Sequence, residues 1–424
     1  MRVLEASEII CGELINTPAI GSFEGFATKV EDVKRGVLFF ALDSDDIDTA
    51  LEKGAFGVVF DSSIQMRNVE IAWIKVDNIQ SCISRLVRYL LISKKIEIIL
   101  LSEIQYAIAK QIIRAKEVLF FDEYKGGFIS ANNSINNSMR FSVCELLDEI
   151  VQQNPTKIIT SLEGIADLSI EEYTTCVNPQ HLPFDIITPH QIFESKFYHK
   201  ISAYQIPLPA VFLPELAAVV EQICLRGGEE IAFDMSDFAP IEKLLPIALS
   251  PEARILPLGK SNKVVISTNS VDIFLRYVRY LKENARYGEL AFFVPRILDD
   301  KSKEVFTPIS CDENSSEYGG ESSALQSYCK VGFCVEYDRG DARSEVASEN
   351  PQSDSENPQY KASKRDKQNI TSDKLEAICY DSSNELPKLL KLSRFNFALV
   401  LGISTEGLIF VLNEASKDTS PVLF

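Results

Sequence analysis

The sequence predicts an α/β protein built on mostly parallel sheets. Three observations carry this. Short apolar runs fit for buried strands alternate with stretches of helical spacing, the pattern of parallel sheets. Apolar residues make up 46% of the chain, enough for real cores. The 424 residues exceed one typical domain and suggest two or three.

Residues 1–93 read as a first α/β domain. Val37–Leu42 (VLFFAL), Phe56–Phe60 (FGVVF) and Ala72–Val76 (AWIKV) are strand candidates. Thr49–Gly54 is a short helix that ends on glycine. Ile79–Leu91 has apolar residues at 79, 83, 86, 87 and 90, which is helical spacing.

Residues 94–260 form a second block. Its strands are Ile96–Leu101, Val118–Phe121, Lys157–Thr160 and Asp185–Thr188. Its helices are Ile104–Ile113, Val143–Gln152 and the strongly apolar Leu213–Leu225, closed by Gly227 and Gly228. Gly126–Ser138 is polar and rich in turn residues.

Residues 261–424 form a third block. Lys263–Ser267 and Glu289–Val294 are strands, and Val271–Leu281 is a helix. Residues 301–385 are rich in Ser, Glu, Asp, Asn and Lys, the profile of a disordered insertion. Order is expected to return at Phe395–Leu401 and Leu408–Leu412.

Charge and cysteine content narrow the function classes. The net charge is −18, from 61 acidic and 43 basic residues. Such a chain repels phosphate backbones, so nucleic acid is not an expected partner. Nine cysteines at irregular spacing, with no CxxC, argue for reduced thiols rather than a disulfide framework or a zinc site. No run of 18 apolar residues exists, and Glu5 and Glu8 interrupt any signal-peptide core. The expectation is a cytoplasmic protein with no membrane span.

The first block carries a family pattern. It consists of Val33-Lys-Arg-Gly-Val-Leu-Phe-Phe-Ala-Leu42, then Ala50-Leu-Glu-Lys-Gly-Ala-Phe-Gly-Val-Val59, then Ile74-Lys-Val-Asp77. This resembles the N-terminal domain of Mur ligases, above all the branch that adds D-alanyl-D-alanine to a UDP-MurNAc-tripeptide. Asn133-Ser-Ile-Asn-Asn-Ser-Met139 looks like that family's asparagine-rich turn. Leu216-Ala-Ala218 resembles its Asn-Ala-Leu-Ala-Ala helix, and Lys263–Leu281 its C-terminal strand–helix opening. The resemblance spans roughly residues 20–300 and resumes near 395. It implies a three-domain architecture: a domain for the UDP end of the substrate, a central ATP domain with a mostly parallel sheet, and a Rossmann-like C-terminal domain, here carrying the long polar insertion. It also implies peptidoglycan precursor synthesis as the setting, with cell-wall precursors or cell-wall synthesis proteins as partners.

The residues that would carry the family's chemistry are largely missing. Acyl-phosphate formation needs glycines that let backbone N–H groups approach the phosphates, a lysine, and a hydroxyl for Mg²⁺. The equivalent stretch Leu101-Ser-Glu-Ile-Gln-Tyr-Ala-Ile-Ala-Lys110 has no glycine. Tyr106 takes the lysine position and Ala107 the first hydroxyl position, and Glu103 adds a repulsive charge. Lys29-Val30-Glu31 replaces the UDP-binding Asp-Ser/Thr-Arg, and Pro214 replaces the helix asparagine, where it fits as a helix start. Glu163 lies one place out of step with the family's metal-binding glutamate. His190 lies where the family has a histidine, while His181 and His199 have no metal spacing. The acidic run Asp43–Asp48 lacks the glycine and distal glutamate of a calcium loop.

The surviving candidates are Asn136 and Asn137, as substrate contacts or as residues of an ordinary turn. No catalytic, cofactor or metal residue is assigned. The expectation is a degenerate Mur-ligase-like protein without turnover, acting as a binding or scaffold module. Two alternatives stay open. One is an active ligase with ATP, Mg²⁺ and an atypical phosphate site drawn from Lys110, Gly126, Gly127 and the asparagine turn. The other is an interaction protein using residues 301–385.

Overall fold

The computed structural model describes residues 1–64, 66–122, 143–168, 173–189, 191–225, 231–285, 288–296, 307–309, 330–335 and 373–418. They divide into two compact units, Met1–Ile241 and Glu242–Phe424. Both are mixed α/β, as the alternating sequence pattern predicts.

The first unit opens with α1 (Val3–Ile9), β1 (Glu13–Leu14), β2 (Gly25–Ala27), β3 (Val37–Phe40), α2 (Asp46–Glu52), β4 (Gly57–Phe60), β5 (Ala72–Lys75) and α3 (Ile79–Ser93). These strands form a sheet in the order β1-β5-β4-β3-β2, parallel except for the β1–β5 pair. Every residue of β3 and β4 is buried. Alternate side chains therefore serve opposite faces. Leu38, Phe40, Val59 and Ile74 meet α3, whereas Phe39, Val58, Phe60 and Trp73 meet Ile47 and Ala50 of α2. Gly57 is required by a close approach. A Cβ there would lie 2.8 Å from the Phe23 ring and 2.9 Å from Leu38.

A second sheet follows from β6 (Glu97–Leu100), α4 (Glu103–Ile112), β7 (Val118–Phe121), α5 (Val143–Gln153), β8 (Lys157–Thr160), α6 (Glu163–Ala166) and β9 (Thr174–Thr175). Its order is β7-β8-β6-β9, and all pairs are parallel. The two sheets share one core. Ile83, Leu86, Val87 and Leu90 of α3 cluster with Leu146, Leu147 and Ile150 of α5, and with Ile98, Leu119 and Ile158 of the second sheet. Each such side chain contributes about 1.5–3 kcal/mol on burial. A buried polar contact crosses the same boundary. Thr28 donates its N–H to Asp148 Oδ1 at 3.1 Å and its hydroxyl to Oδ2 at 2.6 Å.

Next come β10 (Asp185–Thr188), β11 (Ser195–His199), β12 (Ser202–Ile206) and α7 (Leu213–Val219). The helix α7 continues as a π-helical turn, Val220–Cys224. The 185–188 strand does not join the parallel sheet. It pairs antiparallel with β11, which pairs antiparallel with β12, so the three form a separate sheet. Its composition gives a strand, but only the partner sets direction.

The second unit contains β13 (Ile247–Leu249), β14 (Ile255–Leu256), β15 (Lys263–Thr268), α8 (Val271–Asn284), β16 (Leu290–Pro295), β17 (Thr307–Ile309), β18 (Lys330–Val335), β19 (Asp373–Tyr380), α9 (Leu386–Leu392), β20 (Phe397–Leu401) and α10 (Thr405–Asp418). The sheet order is β14-β13-β15-β20-β16-β19-β18-β17, with parallel pairing from β15 through β19. Phe274 of α8 meets Phe292 on one face. Helices α9 and α10 cover Val265, Phe293, Ala398 and Val400 on the other.

Two expectations change here, while order returns at 408–412 as expected. Because β13 and β14 extend this sheet, the break falls at 241/242 rather than 260/261. The polar segment 301–385 contains sheet strands at 307–309, 330–335 and 373–380, and Ala377, Cys379 and Tyr380 are buried. The strand at 373–380 is masked in sequence by its interleaved Asp373, Lys374 and Glu376. The remainder of 301–372 lies outside the described residues. Leu408–Leu412 lies inside the helix α10.

Candidate functional site: the β6–α4 junction

The place for a phosphate loop is the link from β6 to α4. Only Leu101 and Ser102 separate the strand from the helix. Ser102 is the N-cap. Its Oγ accepts from Gln105 N–H at 3.2 Å, and Ser102 N–H donates to Gln105 Oε1 at 3.1 Å. This reciprocal pair is a capping box. It occupies helix-start donors that an anion would otherwise use. Leu101 N–H donates to Thr160 O at 2.8 Å, which ties the link to the sheet.

Gln105 is buried and reaches further. Its Nε2 donates to Cys176 O at 3.2 Å and to Asn178 Oδ1 at 3.1 Å. Asn178 Nδ2 donates to Glu215 Oε1 on α7 at 2.8 Å. The neighbouring Val177 donates its N–H to Gln222 Oε1 at 3.1 Å, and Gln222 Nε2 donates to Val177 O. The segment after β9 is thus fastened between α4 and the α7–π helix by side-chain amides.

Tyr106, where the sequence resemblance would put a lysine, is a core residue. Its ring packs edge-on against Phe120 at 5.8 Å. Burial first, and the Asp122 carboxylate second, push the phenol pKa far up, so it stays protonated. Lys110 does not reach the junction. It pairs with Asp122 at 3.0 Å and lies over the Tyr106 ring at 5.8 Å. Glu103 is the first residue of α4.

Asn136 and Asn137 lie outside the described residues, as do His190, Gly126 and Gly127. Glu163 is exposed at the start of α6, and no group of three or more His, Cys, Asp or Glu with metal-binding geometry occurs among the described residues. His181 is exposed. His199 is buried between the Phe184 and Phe233 rings, and burial, then Lys200, lower its pKa. Val30–Asp32 forms a 3-10 turn held by Lys53 Nζ on Val30 O at 2.9 Å, and Glu31 faces solvent. Pro214 opens α7, as expected for a proline at a helix start. Asp48 of the acidic run pairs with Arg67. No described helix is long and apolar enough to cross a membrane.

The amide network of Gln105, Asn178 and Gln222 was not among the sequence expectations. The capping box was available as Ser102-x-x-Gln105. The polar pair Glu215 and Gln222, seven residues apart in an apolar helix, was available as a second sign.

No protein-family model matches the chain, and no curated protein matches its sequence. Among solved structures it is similar to MurF ligase from Thermotoga maritima in complex with ADP, at 11% identity and a TM-score of 0.42, over 93% of this chain and 98% of that one. MurF from Acinetobacter baumannii is similar at 10% identity and a TM-score of 0.35, over 71% and 79% of the two chains. A UDP-N-acetylmuramoyl-L-alanyl-D-glutamate–2,6-diaminopimelate ligase is similar at 13% identity and a TM-score of 0.29, over 69% and 76%.

Proposed function

We propose that this chain is a Mur-ligase-like protein that does not bind ATP at the β6–α4 junction and acts as a binding or scaffold module in cell-wall precursor synthesis. The observation that carries the first part is the capping box. A phosphate site requires free helix-start N–H groups, glycine in the loop and a nearby cation. Here Ser102 and Gln105 bond each other, Tyr106 is buried in place of the lysine, and Lys110 is held by Asp122. The peptidoglycan setting rests on the resemblance of residues 33–77 to the first domain of Mur ligases. That first sheet is intact around the matching residues, with Leu38, Phe40, Val58 and Val59 fully buried.

The test is calorimetric titration of the full chain with millimolar Mg-ATP, paired with thermal unfolding with and without nucleotide. The expected result is no binding heat and no thermal shift. A saturable heat, or phosphate release with a UDP-MurNAc-peptide present, would restore the active-ligase alternative. The module role predicts binding of a UDP-MurNAc-peptide or a cell-wall synthesis protein without ATP. Titration of the precursor alone tests the first of these.

A further inference from the structure

We propose that residues 173–178 form a strap that closes over the start of α4 and opens as one piece. It rests on the reading of this junction as a site without nucleotide. The strap includes the two-residue strand β9, which pairs with Ile99 and Leu100 at the carboxyl end of β6, and Thr174 Oγ1 donates to Glu97 Oε1 at 3.0 Å. That pairing carries the following residues past the end of β6, beside the β6–α4 link. Beyond it the chain is held by side chains rather than by a continued ladder. Gln105 holds Cys176 O and Asn178, Asn178 holds Glu215, and Gln222 holds both backbone groups of Val177. The outer side contributes little packing, since Tyr173 is 45% and Val177 70% exposed.

Such a segment has the makings of a low-stability opening unit. Its Tyr173 and Val177 side chains are exposed, and so are the Val177–Gln222 hydrogen bonds. The bonds are also chained. Gln105 both closes the capping box and holds the strap, so a strap that lifts releases the side chain that organises the start of α4. The junction therefore has two states: one with the helix start covered and capped, and one with the edge of β6 and the first turn of α4 open to solvent.

Amide hydrogen exchange on the full-length chain tests this, comparing wild type with Gln222→Ala and the milder Gln222→Glu. Gln222→Ala removes two hydrogen bonds to Val177, none to α4. The expected result is faster exchange, by about tenfold or more, at Val177 and at Gln105 and Tyr106 together, with α3 unchanged. Gln222→Glu keeps an acceptor for Val177 N–H and should give a smaller joint rise. Trp73 emission confirms that each variant is folded. A rise confined to Val177 would overturn the strap as a unit. Adding Mg-ATP to the opened variant separates the two readings. If the joint rise occurs and nucleotide protects the α4 start, the strap stands and the nucleotide reading falls.

Discussion

The Thr28–Asp148 contact allows a quantitative test of how the first two sheets are joined. Asp148 is buried, and burial raises its pKa above the usual carboxylate value, against the lowering effect of its two bonds from Thr28 and of Lys29. A carboxyl whose folded pKa is raised contributes stability that is present below its unfolded pKa. That contribution is lost as pH rises through the folded value. At neutral pH the ionised side chain therefore depends on Thr28. Thr28→Val removes the 2.6 Å hydroxyl bond and leaves only the backbone N–H at 3.1 Å. A hydrogen bond to a buried charge contributes about 1.5–3 kcal/mol, against about 0.5–1.5 kcal/mol for a neutral one. Thr28→Val should thus cost about 2 kcal/mol at pH 8 and about 1 kcal/mol at pH 4. In an Asp148→Asn background, where an amide can bond both Thr28 groups without charge, the same change should cost about 1 kcal/mol at either pH. The assay is urea unfolding followed by tryptophan emission. Trp73 is the chain's one tryptophan and lies fully buried in β5, so the signal reports the first unit. Equal penalties at both pH values in both backgrounds would refute a charged Asp148 as the group that makes this bond matter.

Four further outcomes follow from other contacts. Ser102→Ala should destabilise the first unit by about 1 kcal/mol through loss of the cap, read by the same unfolding curve, without creating ATP binding. Tyr106→Lys should cost about 3 kcal/mol by burying an ammonium and should still give no calorimetric signal with Mg-ATP. Gly402→Ala places a Cβ at φ +91°, 3.0 Å from both Pro295 and the Tyr380 hydroxyl. It should cost about 1–3 kcal/mol or more, seen as a lower melting temperature of the second unit by calorimetry. Lys263→Met removes bonds to Leu390 O at 3.2 Å and Ser393 O at 3.0 Å and the contact over the Phe395 ring at 4.6 Å. A loss of about 1–2 kcal/mol in the same transition is expected.

How much of this was legible in sequence depends on the range of the forces involved. The strands Val37–Phe40 and Gly57–Phe60 carry no polar side chain, and Lys263–Thr268 has the apolar centre Val264–Ile266; buried strands announce themselves that way. The helices α3 and α8 show their spacing and carry Asn78 and Ser270 caps. What failed was set by partners distant in the chain. Asp185–Thr188 takes its direction from Tyr198 and Phe197. The strand Asp373–Tyr380 is polar at its start, and β16 and β18 supply its pairing. At the candidate site the absence of glycine was readable from Leu101 to Lys110. The closure by Gln105, Asn178 and Gln222 was not, because Asn178 and Gln222 lie more than 70 residues along the chain from the junction.

The core shared by α3 and α5 has a mechanical consequence. Three residues, Lys94 to Ile96, join α3 to β6, and both elements are buried in the same cluster. There is no pliant joint at which the first sheet swings against the second, so residues 1–93 are not a detachable cartridge. Cutting the chain after Ser93 would strip Leu86, Val87 and Leu90 of their α5 neighbours and expose them to water, and the isolated fragment should aggregate. Whatever the first sheet grips is presented to the second at a fixed distance and angle, as by a jig rather than by a clamp.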